Sequence, residues 1–224
     1  MEKNPEAIIL ESWRKNVRPW IQAVRGEEIE SRTLVTNKAI VDTVLNLKPL
    51  AAFDIGCGEG WLVRLLQSHG IDALGIDAVP DLIEAAEKEG AGRFRTLSYD
   101  EITPTNIGEK IDVLICNFSL FGKDSVKSIF QSASQLLNQG GSFVIQTLHP
   151  NHVNLSGKSK EGWMEGTWVG FNSEFRDPPP WYFRTVDDWK CQFTESGFKS
   201  VETFEPVHPK TGRPASIIFT AGLF

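Results

Sequence analysis

Cysteine is scarce in this chain of 224 residues: Cys57, Cys116 and Cys191 are odd in number and far apart. Such a set offers neither a disulfide framework nor zinc-ligand spacing, so no metal is expected, and a reducing cytoplasm is the expected compartment. No apolar run reaches bilayer-spanning length and the first residues lack a signal-peptide core, which argues against a membrane partner. A basic excess is also missing. The 23 Lys and Arg stand against 29 Asp and Glu, a net charge of −6, whereas a nucleic-acid partner asks for a positive surface. Internal repeats and low-complexity linkers are absent, so one domain over residues 1–224 is the expectation. Tryptophan, by contrast, is plentiful at seven residues, with Trp163, Trp168, Trp181 and Trp189 in one late segment.

The stretch Ala52-Phe53-Asp54-Ile55-Gly56-Cys57-Gly58-Glu59-Gly60-Trp61-Leu62 organises the rest. Ala51 to Ile55 is a compact apolar run broken only by Asp54, which reads as a short buried strand. Trp61 to His69 puts Leu62, Leu65 and Leu66 on one helical stripe. Between them glycines occupy alternate positions, where a backbone can turn tightly and approach a ligand. The helix that follows offers free N–H groups and a positive dipole end. Strand, glycine turn and helix together describe a nucleotide-type cofactor site.

Spacing narrows the cofactor. The dinucleotide fingerprint is G-x-G-x-x-G, but here the third glycine comes one residue early, giving D-x-G-C-G-x-G. That pattern resembles the first motif of the Rossmann-like (class I) methyltransferases that use S-adenosyl-L-methionine, in particular bacterial small-molecule enzymes. Ala73-Leu74-Gly75-Ile76-Asp77 is similar to their second strand. Ser98-Tyr99-Asp100, Ile111 to Ser119, and the turn Leu136 to Gly141 resemble later motifs of the same family, so the similarity runs over residues 50–148. The resemblance implies an α/β fold: a doubly wound, mostly parallel, seven-stranded sheet with its last strand antiparallel, under a helical N-terminal cap. It also implies a cofactor site. Asp77, twenty-three positions after Asp54, holds the ribose hydroxyls, and Tyr99 and Asp100 meet the adenine. Asp54, Gly56, Cys57, Gly58, Trp61, Ala78, Asn117 and Phe118 complete the site. Arg32 is a candidate for the cofactor's carboxylate through its planar fork.

Outside that core the chain divides by composition. Residues 1–48 are helix-compatible, interrupted at Pro19, with Trp13 and Trp20 able to line a pocket and Trp20 taken as a substrate contact. A helix from Thr36 or Asn37 to about Leu47 carries Ile40, Val41 and Val44 on one face. Strand and helix then alternate, as a parallel sheet with crossovers requires. Residues 149–184 break the rhythm with Gly, Pro and aromatics, without a clear helix or central-strand period. They are expected to form a lid or substrate wall, with Trp168 and Tyr182 as its contacts. Residues 185–224 read as a capped helix from Thr185 and two closing strands.

Methyl transfer from a sulfonium needs acceptor and methyl held in line with water kept out, and no nucleophile or metal. If a base is used, His149 and His152, just after the fifth strand, are the candidates. The expected function is therefore methyl transfer to a small-molecule acceptor at O or N, with the oligomeric state left open. An NAD-dependent oxidoreductase is disfavoured by the early third glycine. A non-catalytic S-adenosylmethionine-binding protein is the other alternative, since a fold does not by itself imply turnover.

Overall fold

The computed structural model describes residues 4–153 and 160–223, with backbone alone at 152 and 153. Two short helices open the chain, α1 (Pro5–Lys15) and α2 (Val17–Arg25). Their break falls at Asn16, and not at Pro19 as the sequence suggests, for Pro19 lies inside the first turn of α2. A first-turn proline gives up an N–H that has no partner within the helix, so α2 accommodates it. A π-helical turn (Arg32–Thr36) then runs directly into α3 (Asn37–Asn46).

The alternating core follows as β1 (Ala51–Ile55), α4 (Trp61–Ser68), β2 (Asp72–Asp77), α5 (Pro80–Lys88), β3 (Arg93–Thr96), α6 (Pro104–Ile107), β4 (Ile111–Asn117), α7 (Asp124–Leu136) and β5 (Leu137–Thr147). After the short α8 (Pro150–Val153) comes a two-stranded hairpin, β6 (Gly162–Met164) and β7 (Trp181–Phe183). The chain closes with α9 (Val186–Glu195), β8 (Lys199–Phe204) and β9 (Ile217–Gly222). The main sheet has seven strands in the order β3-β2-β1-β4-β5-β9-β8. β9 runs antiparallel to both its neighbours and the other pairings are parallel. This is the expected Rossmann-like architecture. Among the described residues no helix is long and apolar enough to cross a membrane.

Two local expectations change. β5 begins at Leu137, directly at the end of α7, within the stretch Leu136 to Gly141 that the sequence reads as a turn; Leu137 pairs with Ile111, and a register shift absorbs the residues up to Ser142. The segment after β5, read as lacking a clear helix or central-strand period, holds the β6–β7 hairpin, which pairs Trp163 with Tyr182 apart from the main sheet.

Side-chain alternation along the strands builds two cores, one on each face of the sheet. Phe53, Leu114 and Phe143 point to the side covered by Phe130 of α7 and Phe193 of α9. Their neighbours Ala52, Val113 and Val144 point to the side covered by Ile40 and Val44 of α3 and Leu62 and Leu66 of α4. Asp112 staples the far edge of the sheet. Its carboxylate accepts from the N–H groups of Leu50 and Ala51 (2.8 and 3.1 Å) and from Asn138 (2.9 Å). Strand order reverses between β1 and β4, and a crevice opens beyond their carboxyl ends, where such sheets bind ligands.

Candidate cofactor and acceptor cavity

The glycine turn fills the mouth of that crevice. Gly56, Gly58 and Gly60 all take left-handed backbone angles, φ 75°, 58° and 81°. At Gly56 space is as restrictive as φ: a Cβ there would lie 2.3 Å from Cβ of Ser119. Ser119 in turn donates to the Ile55 carbonyl (2.7 Å) and accepts at its own carbonyl from the Tyr99 hydroxyl (2.9 Å). The turn, the end of β4 and the segment after β3 are thereby locked together. Asp77, at the end of β2, accepts from the N–H groups of Gly58 and Val79, both at 2.9 Å. Each carboxylate oxygen retains a lone pair for a further donor.

A cavity of about 320 Å³ lies above this turn. The strand ends contribute Asp54, Asp77, Ala78 and Asn117, and the turn contributes Gly56, Cys57, Gly58, Glu59 and Trp61. Tyr99 and Asp100 line one end, α1 and α2 roof it with Leu10, Trp13 and Trp20, and Phe118 and Phe121 form the remaining wall. Phe118 adopts φ 52°, a strained angle for a bulky residue and one that recurs at functional sites.

The buried charges here are incompletely matched. Arg32 starts the π-helical turn, a feature itself common at functional sites. Its guanidinium lies over the rings of Trp20 and Trp61, at 5.5 and 5.2 Å, and Nε donates to Asn37 (3.2 Å). Its Nη2 is buried with no hydrogen-bond partner. Burial lowers the Arg32 pKa to about 10. Asp54 is buried too, its Oδ1 has no partner, and burial together with the charge of Asp77 pushes its pKa up to about 7. Burial likewise raises Asp77 and holds the Cys57 thiol well above its ordinary value. Glu59 is almost completely enclosed. Its Oε2 meets Arg25 of α2 (3.1 Å) and Arg64 of α4 (2.7 Å), while Oε1 is unpaired. Leaving buried polar atoms unpaired costs on the order of 1–3 kcal/mol each, and more for charged ones. Arg32 and Asp54, both lining the cavity, thus each keep one buried polar atom, a donor and an acceptor, without a partner.

All twelve residues expected around the cofactor line this cavity, and so does Trp20. The expected lid contacts do not. Trp168 packs edge-on behind Trp13 at 5.8 Å and donates to the Arg176 carbonyl. Tyr182 donates its backbone N–H to the Phe121 carbonyl and its ring lies under Arg184. Each backs a wall residue because the lid aromatics bury one another. His149 is also displaced. It is buried beyond β5, one strand away from the reversal point, with Nε2 3.3 Å from Glu205 and Nδ1 accepting from the Asn151 N–H. It is not among the lining residues, so a role as base is withdrawn. The side chain of His152 lies outside the described residues. Sequence reasoning passed over Glu6, Leu10, Glu59, Phe121 and Ser125, although Glu59 sits inside the glycine motif. Among the described residues no group of three or more His, Cys, Asp or Glu is gathered as a metal site requires.

A class is thus defined by sheet order, glycine turn and crevice: a Rossmann-like α/β domain with a nucleotide-type cofactor site. The chain belongs to a family of methyltransferase domains, whose profile matches residues 37–203. It is 31% identical over 102 residues to a ubiquinone biosynthesis O-methyltransferase of Methylococcus capsulatus, a match covering 44% of this chain and 43% of that protein. The chain spans about half the length of the curated relatives it matches. Among solved structures it resembles an S-adenosylmethionine-dependent methyltransferase from Mesorhizobium loti (TM-score 0.58, 22% identity, 77% of this chain and 90% of the other). It also resembles magnesium protoporphyrin IX methyltransferase from Synechocystis with bound SAH (TM-score 0.58, 18% identity, 84% and 81%).

Proposed function

We propose that this chain is an S-adenosylmethionine-dependent methyltransferase acting on a small acceptor with an apolar, flat portion. One observation carries the reading: Arg32 and Asp54 line the same cavity, and the buried Nη2 of the one and Oδ1 of the other have no hydrogen-bond partner. A donor cation and an acceptor anion so placed complement the carboxylate and ammonium of an amino-acid moiety. Asp77 would take the ribose, and Tyr99 and Asp100 the base. When bound, the cofactor supplies a methyl group already activated on a sulfonium. The protein's part is then to orient and to exclude water. Phe118, Phe121, Trp13 and Trp20 present apolar faces suited to a flat acceptor, and α1 and α2 close the roof.

The 149–184 segment acts in this reading as support for that wall, in a single domain of cap, cofactor core, lid and closing strands. No base is assigned, and orientation alone can remove about 7–11 kcal/mol of barrier in favourable cases. Three free cysteines, two of them buried, support placement in the cytoplasm. Calorimetry with S-adenosylhomocysteine and, in parallel, NAD tests the cofactor. Saturable binding of the first alone is expected; preference for NAD would restore the oxidoreductase alternative. Loss of binding in Arg32→Met with the melting curve retained would tie the affinity to the Arg32 guanidinium.

A further inference from the structure

The N-terminal end of the roof helix α1 is fastened to the core through one side chain. Glu6 Oε1 accepts from the N–H groups of Lys123 (2.7 Å), Asp124 (2.8 Å) and Ser125 (3.4 Å), and Oε2 accepts from the Ser125 hydroxyl (2.6 Å). Those amides open α7, whose own N-cap residue, Lys123, makes no side-chain cap. A carboxylate from a helix more than a hundred residues away thus caps α7 at its positive end.

The receptor is built for it. A Cβ at position 122 would lie 2.2 Å from Glu6 Oε2 and 2.1 Å from the Ser125 hydroxyl. Gly122 is not among the glycines with positive φ, so glycine there provides room for the carboxylate and is not needed for backbone conformation. Arg184 fixes the same turn from behind, donating to the carbonyls of Gly122 and Lys123 (2.9 and 3.2 Å).

The other end of α1 is tied to a loop instead. Asn16 exchanges two hydrogen bonds with the backbone of Arg176, both 2.8 Å, and Ser12 donates to the Asp177 carbonyl (2.6 Å). Together with the Trp13–Trp168 contact, these bonds make α1 and the loop around 165–180 one cover. Behind α1, Arg25 of α2 is moored to Glu59 and Glu89. We infer that Glu6 is the latch of this cover: a positioning residue that, by seating on the N-terminus of α7, sets how fast the cofactor leaves. The inference rests on the cofactor reading above.

Stopped-flow tryptophan fluorescence tests it in the full chain, with S-adenosylhomocysteine as probe, because Trp13 and Trp20 line the cavity. Glu6→Ala is expected to release the probe about tenfold faster or more, and Glu6→Gln, which keeps an acceptor but loses the charge, by less. A merely structural cap is separated by Glu6→Ala combined with Lys123→Asp, which gives α7 a carboxylate of its own. The double variant is expected to regain the melting temperature while release stays fast. Wild-type release rates in Glu6→Ala, or slow release restored in the double variant, would overturn the latch. If the wild type does not bind the probe, the cofactor reading fails and the latch with it.

Discussion

Asp54 and Arg32 each keep a buried polar atom unpaired, at the expense of stability. Burial raises the Asp54 pKa to about 7, so the folded chain holds a proton that the unfolded chain has released anywhere between the ordinary carboxyl range and that value. The stability this proton contributes is present at acid pH and lost as pH rises through about 7. Asp54→Asn, which stays neutral, is therefore expected to raise the melting temperature at about pH 8 and flatten the decline above about pH 5. Cofactor affinity goes the other way. An ammonium needs the ionised carboxylate, so wild-type affinity should fall by up to about tenfold per pH unit below about 7. In Asp54→Asn it should be about ten- to a hundredfold weaker and nearly independent of pH. Melting curves and calorimetry across pH check both; an unchanged affinity profile would remove Asp54 from the site. Arg32→Lys should also weaken binding, because an ammonium cannot stack over the rings of Trp20 and Trp61 and offer a planar fork at once. Asp54, Asp77 and the glycines were legible because each sits at a fixed offset from a strand end. Glu6 was not, because its partner is a helix terminus distant in sequence, and local patterning carries no signal for that.

Among the elements, the strand–glycine–helix unit was readable almost to the residue, since it depends on contacts within a few positions. The late aromatic segment was not. Its rings and backbone pair with partners far along the chain, Trp168 with Trp13 and the Tyr182 N–H with Phe121, so composition announced a wall without saying which rings face inward. Two substitutions separate these elements. Gly56→Ala adds a Cβ 2.3 Å from Ser119 at φ 75°. The strained backbone alone costs about 1–3 kcal/mol, and wedging β1 from β4 should abolish cofactor binding; normal affinity in a folded variant would mean that the turn is not the site. Gly166→Ala adds a Cβ 1.8 Å from the Pro179 carbonyl, so the 165–180 loop must shift. It should make the loop more sensitive to limited proteolysis and, because the loop is part of the cover, quicken S-adenosylhomocysteine release while leaving the glycine-turn contacts in place. Unchanged release would mean that the loop is not part of the cover.

For the molecule as a whole, the cavity lies between two bodies of different origin: the sheet with its glycine turn, and the cover made of α1, α2 and the loop around 165–180. A ligand that touches both adds contacts across that boundary. Binding to the native state alone stabilises it by about 2.7 kcal/mol when ligand is present at a hundred times its dissociation constant. For a chain of this size that corresponds to a rise in melting temperature of about 5–10 °C, expected with S-adenosylhomocysteine and not with NAD. Hydrogen exchange should show where the gain resides. Protection should increase together in α1, in the glycine turn, at Ser98–Asp100 and over Asn117–Ser125. It should not change along β8, which forms the exposed edge of the sheet and is three strands away from β4. Protection confined to the glycine turn, with α1 unaffected, would show that the cover stays independent of the ligand, and the roof assigned to Trp13 and Trp20 would then have to be given up.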